Sequence, residues 1–265
     1  MTKKDTPPSP DSETIAEQPV IVAPPPGMFG DSPAKTIDCL VMIYDFENFT
    51  GFLSIPDIHR DVAGYLNLVD GHVRRLIDGG PIVGLQQNLN SLDLKLLHEK
   101  FVGDGVMFIL QVGGEDEADR SSNIRAFCRR LVYLKNHFSK VNAEAMRFMP
   151  VADLPQRIRF GITYGTLIEL PRTNGTSEYV GFAINIAARL QKYSGNVSFL
   201  ASARLPHADK WMTQNGFVKV KATQLRGRPN EFVYIDEVDF TNIKKTKDAV
   251  LFEEIALPAS PASKK

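Results

Sequence analysis

Asp45 and Glu47 arrive together, with Asn48 behind them, at the end of CLVMIY (Cys39 to Tyr44), a run apolar enough for a central strand. A third acid, Asp104, sits between two glycines in HEKFVGDGVMFIL, where apolar runs flank it on both sides. Each has a structural explanation when taken singly. Asp45 can cap a following helix. Asp-Gly between two extended runs signals a tight hairpin, with Gly105 expected to take positive φ. Together they suggest more. In a split βαβ sheet the first strand lies beside the hairpin, so the end of one and the tip of the other can share an edge. Two carboxylates at one edge repel unless a cation lies between them. Hard divalent ions such as Mg²⁺ or Mn²⁺ take oxygen ligands of this kind, commonly one or two carboxylates plus phosphate oxygens.

Polar and basic residues complement these acids. In GFAINIAARLQKY, Asn185 and Arg189 are four apart and share one helical face, while Ile184, Ile186, Ala187 and Leu190 cover the buried side. Lys100 precedes Asp104 by four residues, and Arg226 lies in QLRGRPNEF. A surface amide and surface cations are the plainer reading of each. Acids in one set of loops and bases in another can also assemble a phosphate site between them.

The elements that must hold these residues alternate. Ile37 to Tyr44 reads as a strand and Pro56 to Ile77 as a helix. Leu94 to Val102 and Val106 to Val112 read as hairpin strands around Gly103-Asp104-Gly105. Glu115 to Val141 is a second helical pattern, Arg157 to Leu170 a strand or hairpin arm, Gly181 to Tyr193 a third helix and Val197 to Ala201 a strand. Phe217 to Ala222 and Glu231 to Asp236 are a closing pair of strands. This is a split ferredoxin-like order, an α+β sheet expected to carry its helices on one face. Residues 1–35 are Pro-rich and expected to be a disordered arm, 36–238 one domain, and 239–265 a C-terminal tail with at most a short helix.

Composition limits the partners. In 265 residues, 31 Lys and Arg balance 31 Asp and Glu, so no net charge points to nucleic acid or a membrane surface. Cys39 and Cys128 have no disulfide or metal spacing, and the five histidines show none either. No signal core or run of about 18 apolar residues occurs, so a cytoplasmic location is expected. Val112-Gly113-Gly114-Glu115-Asp116 is similar to a diguanylate cyclase signature, but that signature belongs at the hairpin turn, which here is Gly103-Asp104-Gly105.

Four blocks, YDFENFTGF, EKFVGDGVMF, RIRFGITYG with EYVGFAINIAARL, and LRGRPNEFVYI, resemble the catalytic domain of class III nucleotide cyclases in order and spacing, over roughly Thr36 to Asp236. The resemblance implies a ferredoxin-like βαββαβ core with extra C-terminal strands. It also implies two divalent ions (Mn²⁺ or Mg²⁺) held by Asp45, Asp104 and the Phe46 carbonyl. Asn185 would orient the ribose and Arg189 would stabilise the transition state. Arg226 would grip the triphosphate, which Phe49 and Thr50 would also contact. Lys100 and Glu178 would read the base. The family's composite sites imply a head-to-tail homodimer, for which one chain with the full set suffices.

The base-reading pair departs from the family's usual ones. Guanylate-forming members carry Glu at the Lys100 position, which disfavours GTP. Adenylate-forming members pair Lys with Asp or Thr, where this chain has Glu178. Donor and acceptor logic leaves adenine, cytosine and uracil open. The longer Glu leaves a shorter gap, better suited to one ring than two. The chain thus resembles the pyrimidine cyclases of bacterial anti-phage signalling, which form cyclic UMP or cyclic CMP from UTP or CTP for a separate effector protein. The alternatives are an adenylate cyclase acting on ATP and a catalytically inactive nucleotide-binding module.

Overall fold

The computed structural model describes residues 27–30, 32–149, 153–227 and 230–255. Most of the Pro-rich arm and the last ten residues of the expected tail lie outside the described residues. In chain order the elements are β1 (Lys35–Phe46), α1 (Phe49–Leu53), α2 (Val62–Asp78), β2 (Leu94–Phe101), β3 (Gly105–Val112), α3 (Glu117–Asn136), α4 (Phe138–Ala145), β4 (Ile158–Pro171), β5 (Ser177–Val180), α5 (Phe182–Gln191), β6 (Phe199–Ser202), α6 (Ala208–Gln214), β7 (Phe217–Ala222), β8 (Glu231–Asp236), α7 (Glu237–Ile243) and β9 (Phe252–Glu254).

One mixed sheet of nine strands runs β2-β3-β1-β4-β6-β8-β7-β9, with β5 pairing the far end of β4. Its first four strands have the order of a βαββαβ unit, and among the described residues only β4 and β6 run parallel. β1 is central. It pairs with β3 from Leu40↔Leu110 to Asp45↔Gly105, and with β4 along its whole length, which sets Asp45 opposite Arg159.

Alternation along β1 divides the core. Leu40, Met42, Tyr44 and Phe46 face one layer, with buried residues of α2, α3 and α4 such as Tyr65, Val73, Phe127 and Leu131. Cys39, Val41 and Ile43 face the other, with Ala183 and Ala187 of α5. The expectation of helices on one face therefore holds for α2 and α3 but not for the third helix. Its alanine stripe lies on the opposite face, because Gly161 of β4 presents bare backbone there. A Cβ on Gly161 would stand 2.2 Å from the Ala187 carbonyl oxygen.

The hairpin tip also differs from expectation. Gly103 carries the positive φ, at +93°, and Gly105 does not. Gly105 serves close approach instead: a Cβ there would meet the Tyr44 carbonyl oxygen at 1.7 Å. Two long helical patterns are interrupted. The run from Pro56 contains a left-handed Asp57 and a single 3-10 turn before α2, and the second helix breaks at His137 into α3 and α4. Beyond Asp236, α7 follows at once, and β9 pairs with β7, adding a strand where the sequence suggested a tail.

Candidate active site

The end of β1 delivers Asp45 to the α5 face of the sheet. Its carboxylate is 1 % exposed and is held bidentately by Arg159 of β4, Nε to Oδ1 at 2.9 Å and Nη2 to Oδ2 at 2.8 Å. Burial raises the Asp45 pKa, the Arg159 guanidinium pulls it back, and the nearby Asp104 charge pushes it up again. The two acids therefore sense each other, as adjacency across β1 and β3 requires. The Phe46 N–H donates to the Asp104 carbonyl oxygen at 3.2 Å, tying the hairpin tip to the strand end. The Asp104 side chain is about one-third exposed, with Lys192 Nζ 3.7 Å away. Asp45 does not cap a helix: α1 begins after Asn48, which takes a left-handed conformation. Glu47 is bound to Arg157, which lowers its pKa.

No group of three or more His, Cys, Asp or Glu side chains fit to hold a metal occurs among the described residues. At this end the chain offers two carboxylates, Asp45 and Asp104. That donor set suits a hard divalent ion completed by water and phosphate oxygens. The mutual repulsion of Asp45 and Asp104 is what such an ion relieves, and Arg159 and Lys192 now share that task.

Of the other predicted residues, Asn185 and Arg189 lie on α5 and Glu178 on β5 just before it. Asn185 is exposed, and Arg189 is half-buried. Arg189 leans on the loop after β7: a Cβ on Gly227 would lie 3.0 Å from its Nη1, which brings it beside Arg226. Glu178 on β5 meets Lys100 on β2, Oε2 to Nζ 3.9 Å, so the two residues expected to read a base come together within one chain. Phe49 differs. Its ring is buried and stacks on Phe46 at 5.3 Å, so only its backbone can face a ligand, while Thr50 is exposed.

Three cations escaped the sequence reading: Arg159, Lys192 and Arg172, the last donating to Glu178 at 3.1 Å. Arg159 lies within the RIRFGITYG block, yet only strand register reveals that it faces Asp45. A cleft of 460 Å³ opens beside the β1 end, lined by Glu47, Asn48, Gly51 and Pro155 among others. A larger cleft of 780 Å³ between α3 and α6 contains none of the predicted site residues. No helix among the described residues is long and apolar enough to cross a membrane.

No protein-family model matches this chain, and no curated protein sequence matches it either. Solved structures do. The adenylyl cyclase CyaB from P. aeruginosa superposes with a TM-score of 0.52 at 17 % identity, over 77 % of this chain and 96 % of that one. A class III adenylyl cyclase-like ATP-binding protein from Pseudomonas aeruginosa gives 0.51 at 15 % identity, over 81 % of this chain and 41 % of that one. The mixed sheet and its helices thus have the fold of class III nucleotide cyclase domains.

Proposed function

We propose that this protein is a metal-dependent nucleoside-triphosphate cyclase that forms a 3′,5′-cyclic nucleotide and pyrophosphate. The observation that carries the reading is the meeting of Asp45 and Asp104, 59 positions apart in sequence (104 − 45), across adjacent strands of a cyclase fold. Asp45, Asp104 and the Phe46 carbonyl would hold divalent ions, which would supply positive charge for the triphosphate and make the 3′ hydroxyl more acidic. The chain's own side chains do the rest. Arg189 faces the charge that develops on the α-phosphate, a task worth about 2.7–4 kcal/mol for an oxyanion-hole donor. Asn185, one turn earlier, orients the ribose. Arg226 and the Phe49–Thr50 backbone grip the triphosphate, and Lys100 with Glu178 contacts the base. The acids of one subunit work with the α5 residues of a second copy, giving two composite sites in a homodimer.

The favoured substrates are UTP and CTP, from the shortened gap that Glu178 leaves. The product is then a second messenger of anti-phage defence, read by a separate effector. ATP is the alternative. A binding module without turnover is a second reading, supported by the bidentate hold of Arg159 on the Asp45 carboxylate.

Incubation of the pure protein with Mn²⁺ and each of the four triphosphates tests all three. Cyclic UMP or cyclic CMP should dominate. Cyclic AMP as the main product replaces the pyrimidine reading with adenylate cyclase, and no cyclic product with any base leaves only binding. Asp104→Ala should lower turnover by at least about a thousandfold while folding stability stays within about 0.5 kcal/mol, because the side chain is partly exposed.

A further inference from the structure

Glu178 stands between two cations. Arg172 Nη1 donates to its Oε1 at 3.1 Å, and Lys100 Nζ lies 3.9 Å from its Oε2. The hairpin that carries Arg172 and Glu178 is fixed on both sides. The Arg172 N–H donates to the Thr176 carbonyl at 2.8 Å, across a turn with Gly175 at φ +79°. On the other side Phe29 forms a bridge with Arg172, flanked by Gly30 N–H to the Pro171 oxygen at 2.9 Å and Thr173 N–H to the Met28 oxygen at 3.2 Å. Arg172 is thus delivered to Glu178 by a braced backbone.

The row Lys100, Glu178, Arg172 reads donor, acceptor, donor. An ammonium and a guanidinium only donate, and an ionised carboxylate only accepts. A base lying along this row satisfies all three groups only if its own edge reads acceptor, donor, acceptor. Uracil does so through O4, N3–H and O2. Adenine does so through N1, the N6 amino group and N7. Cytosine reads donor, acceptor, acceptor through N4, N3 and O2. It either sets its amino group against a cation or, shifted by one place, turns C5–H toward Arg172. Guanine sets O6 against the carboxylate or its N2 amino group against a cation.

We infer that Arg172 is a base-selecting residue, and that Lys100, Glu178 and Arg172 together admit triphosphates whose base has an acceptor–donor–acceptor edge while rejecting cytosine and guanine. The inference rests on the cyclase reading and narrows it: of the two pyrimidines it keeps uracil. Adenine shares the edge chemistry and is separated from uracil by the experiment.

3′-Deoxynucleoside triphosphates lack the attacking hydroxyl, so their binding to the full-length protein in Mn²⁺ is measured without turnover. The uridine or adenosine analogue should bind at least about tenfold more tightly than the cytidine and guanosine analogues, since each mismatch leaves a donor or acceptor unpaired. The tighter of the first two identifies the base. Arg172→Met keeps the apolar stem and removes the donors, so discrimination against the cytidine analogue should shrink by about tenfold. Arg172→Lys, which restores one donor, should recover part of it. Tighter binding of the cytidine or guanosine analogue, or an unchanged ratio in Arg172→Met, overturns the assignment. Equal binding of all four with Mn²⁺-dependent turnover intact overturns the base rule and leaves the cyclase standing. Failure of every triphosphate to bind overturns both.

Discussion

Tyr44 and Asp45 are neighbours on β1, yet their side chains leave opposite faces of the sheet into contrasting surroundings. Tyr44 enters an aromatic layer, stacked on Phe108 at 6.2 Å and edge-on to Phe46 at 5.7 Å, beneath α2, α3 and α4. Asp45 enters a layer covered by the alanine face of one short helix, α5, where it is held by Arg159 and lies near Asp104. The thickly covered face stores the apolar burial that stabilises the chain. The thinly covered face leaves room at its ends for Asp45, Asp104, Glu178 and Arg189. The triphosphate substrate proposed above would meet the second kind of face.

The contrast breaks if substitutions on the two faces act alike. The largest effect is expected from Phe108→Ala. Phe108 is fully buried in the aromatic layer, and its loss should cost about 3–5 kcal/mol in urea denaturation. A cost below about 1 kcal/mol would remove the claim that this layer holds the fold together.

Next comes Arg159→Met on the other face, which leaves the Asp45 carboxylate buried without its partner. The cost expected at neutral pH is about 3 kcal/mol, the low end for a broken buried pair. Here the sign of the pH dependence is diagnostic. Burial already holds the Asp45 pKa above its ordinary value, so the folded state takes up a proton more readily than the unfolded chain. The penalty is therefore fully present above the folded-state pKa and shrinks as pH falls toward the ordinary carboxylate range. A deficit that grows on acidification would contradict this account.

The smallest effect belongs to His72, a buried histidine between α2 and α4. Burial lowers its pKa, while its contact with Glu144 at 3.1 Å works the other way and the Arg75 charge adds to the lowering. The fold favours the neutral ring, so stability should be unaffected above the ordinary histidine pKa, decline as pH falls from there toward the lowered folded-state pKa, and level off below it. The urea midpoint should drop less between pH 7.5 and 5.5 in His72→Gln than in the natural protein.

Much of the architecture was legible from residue pattern. CLVMIY, the hairpin runs and the helical spacing of Ile58 to Leu76 each carry a full period of apolar residues, enough to mark strand or helix without knowing their neighbours. The short elements were not legible. α1, β5, α6 and β9 span five, four, seven and three residues, too few for a period to show, and they exist because larger elements pack or pair with them. Asp57 and His137 interrupted patterns whose apolar spacing ran on past them.

The site divides in the same way. By itself the sequence determined which residues carry acid, amide and guanidinium groups, and that Asp45 and Asp104 lie at or beside strand ends, since residue type and local period are properties of short segments. Only the tertiary structure decided who meets whom. Register set Arg159 against Asp45, the braced β4–β5 hairpin set Arg172 against Glu178, and close approach at Gly161 put α5 on the face opposite its fellow helices. These pairings arise from contacts between residues far apart along the chain, and no local pattern encodes them.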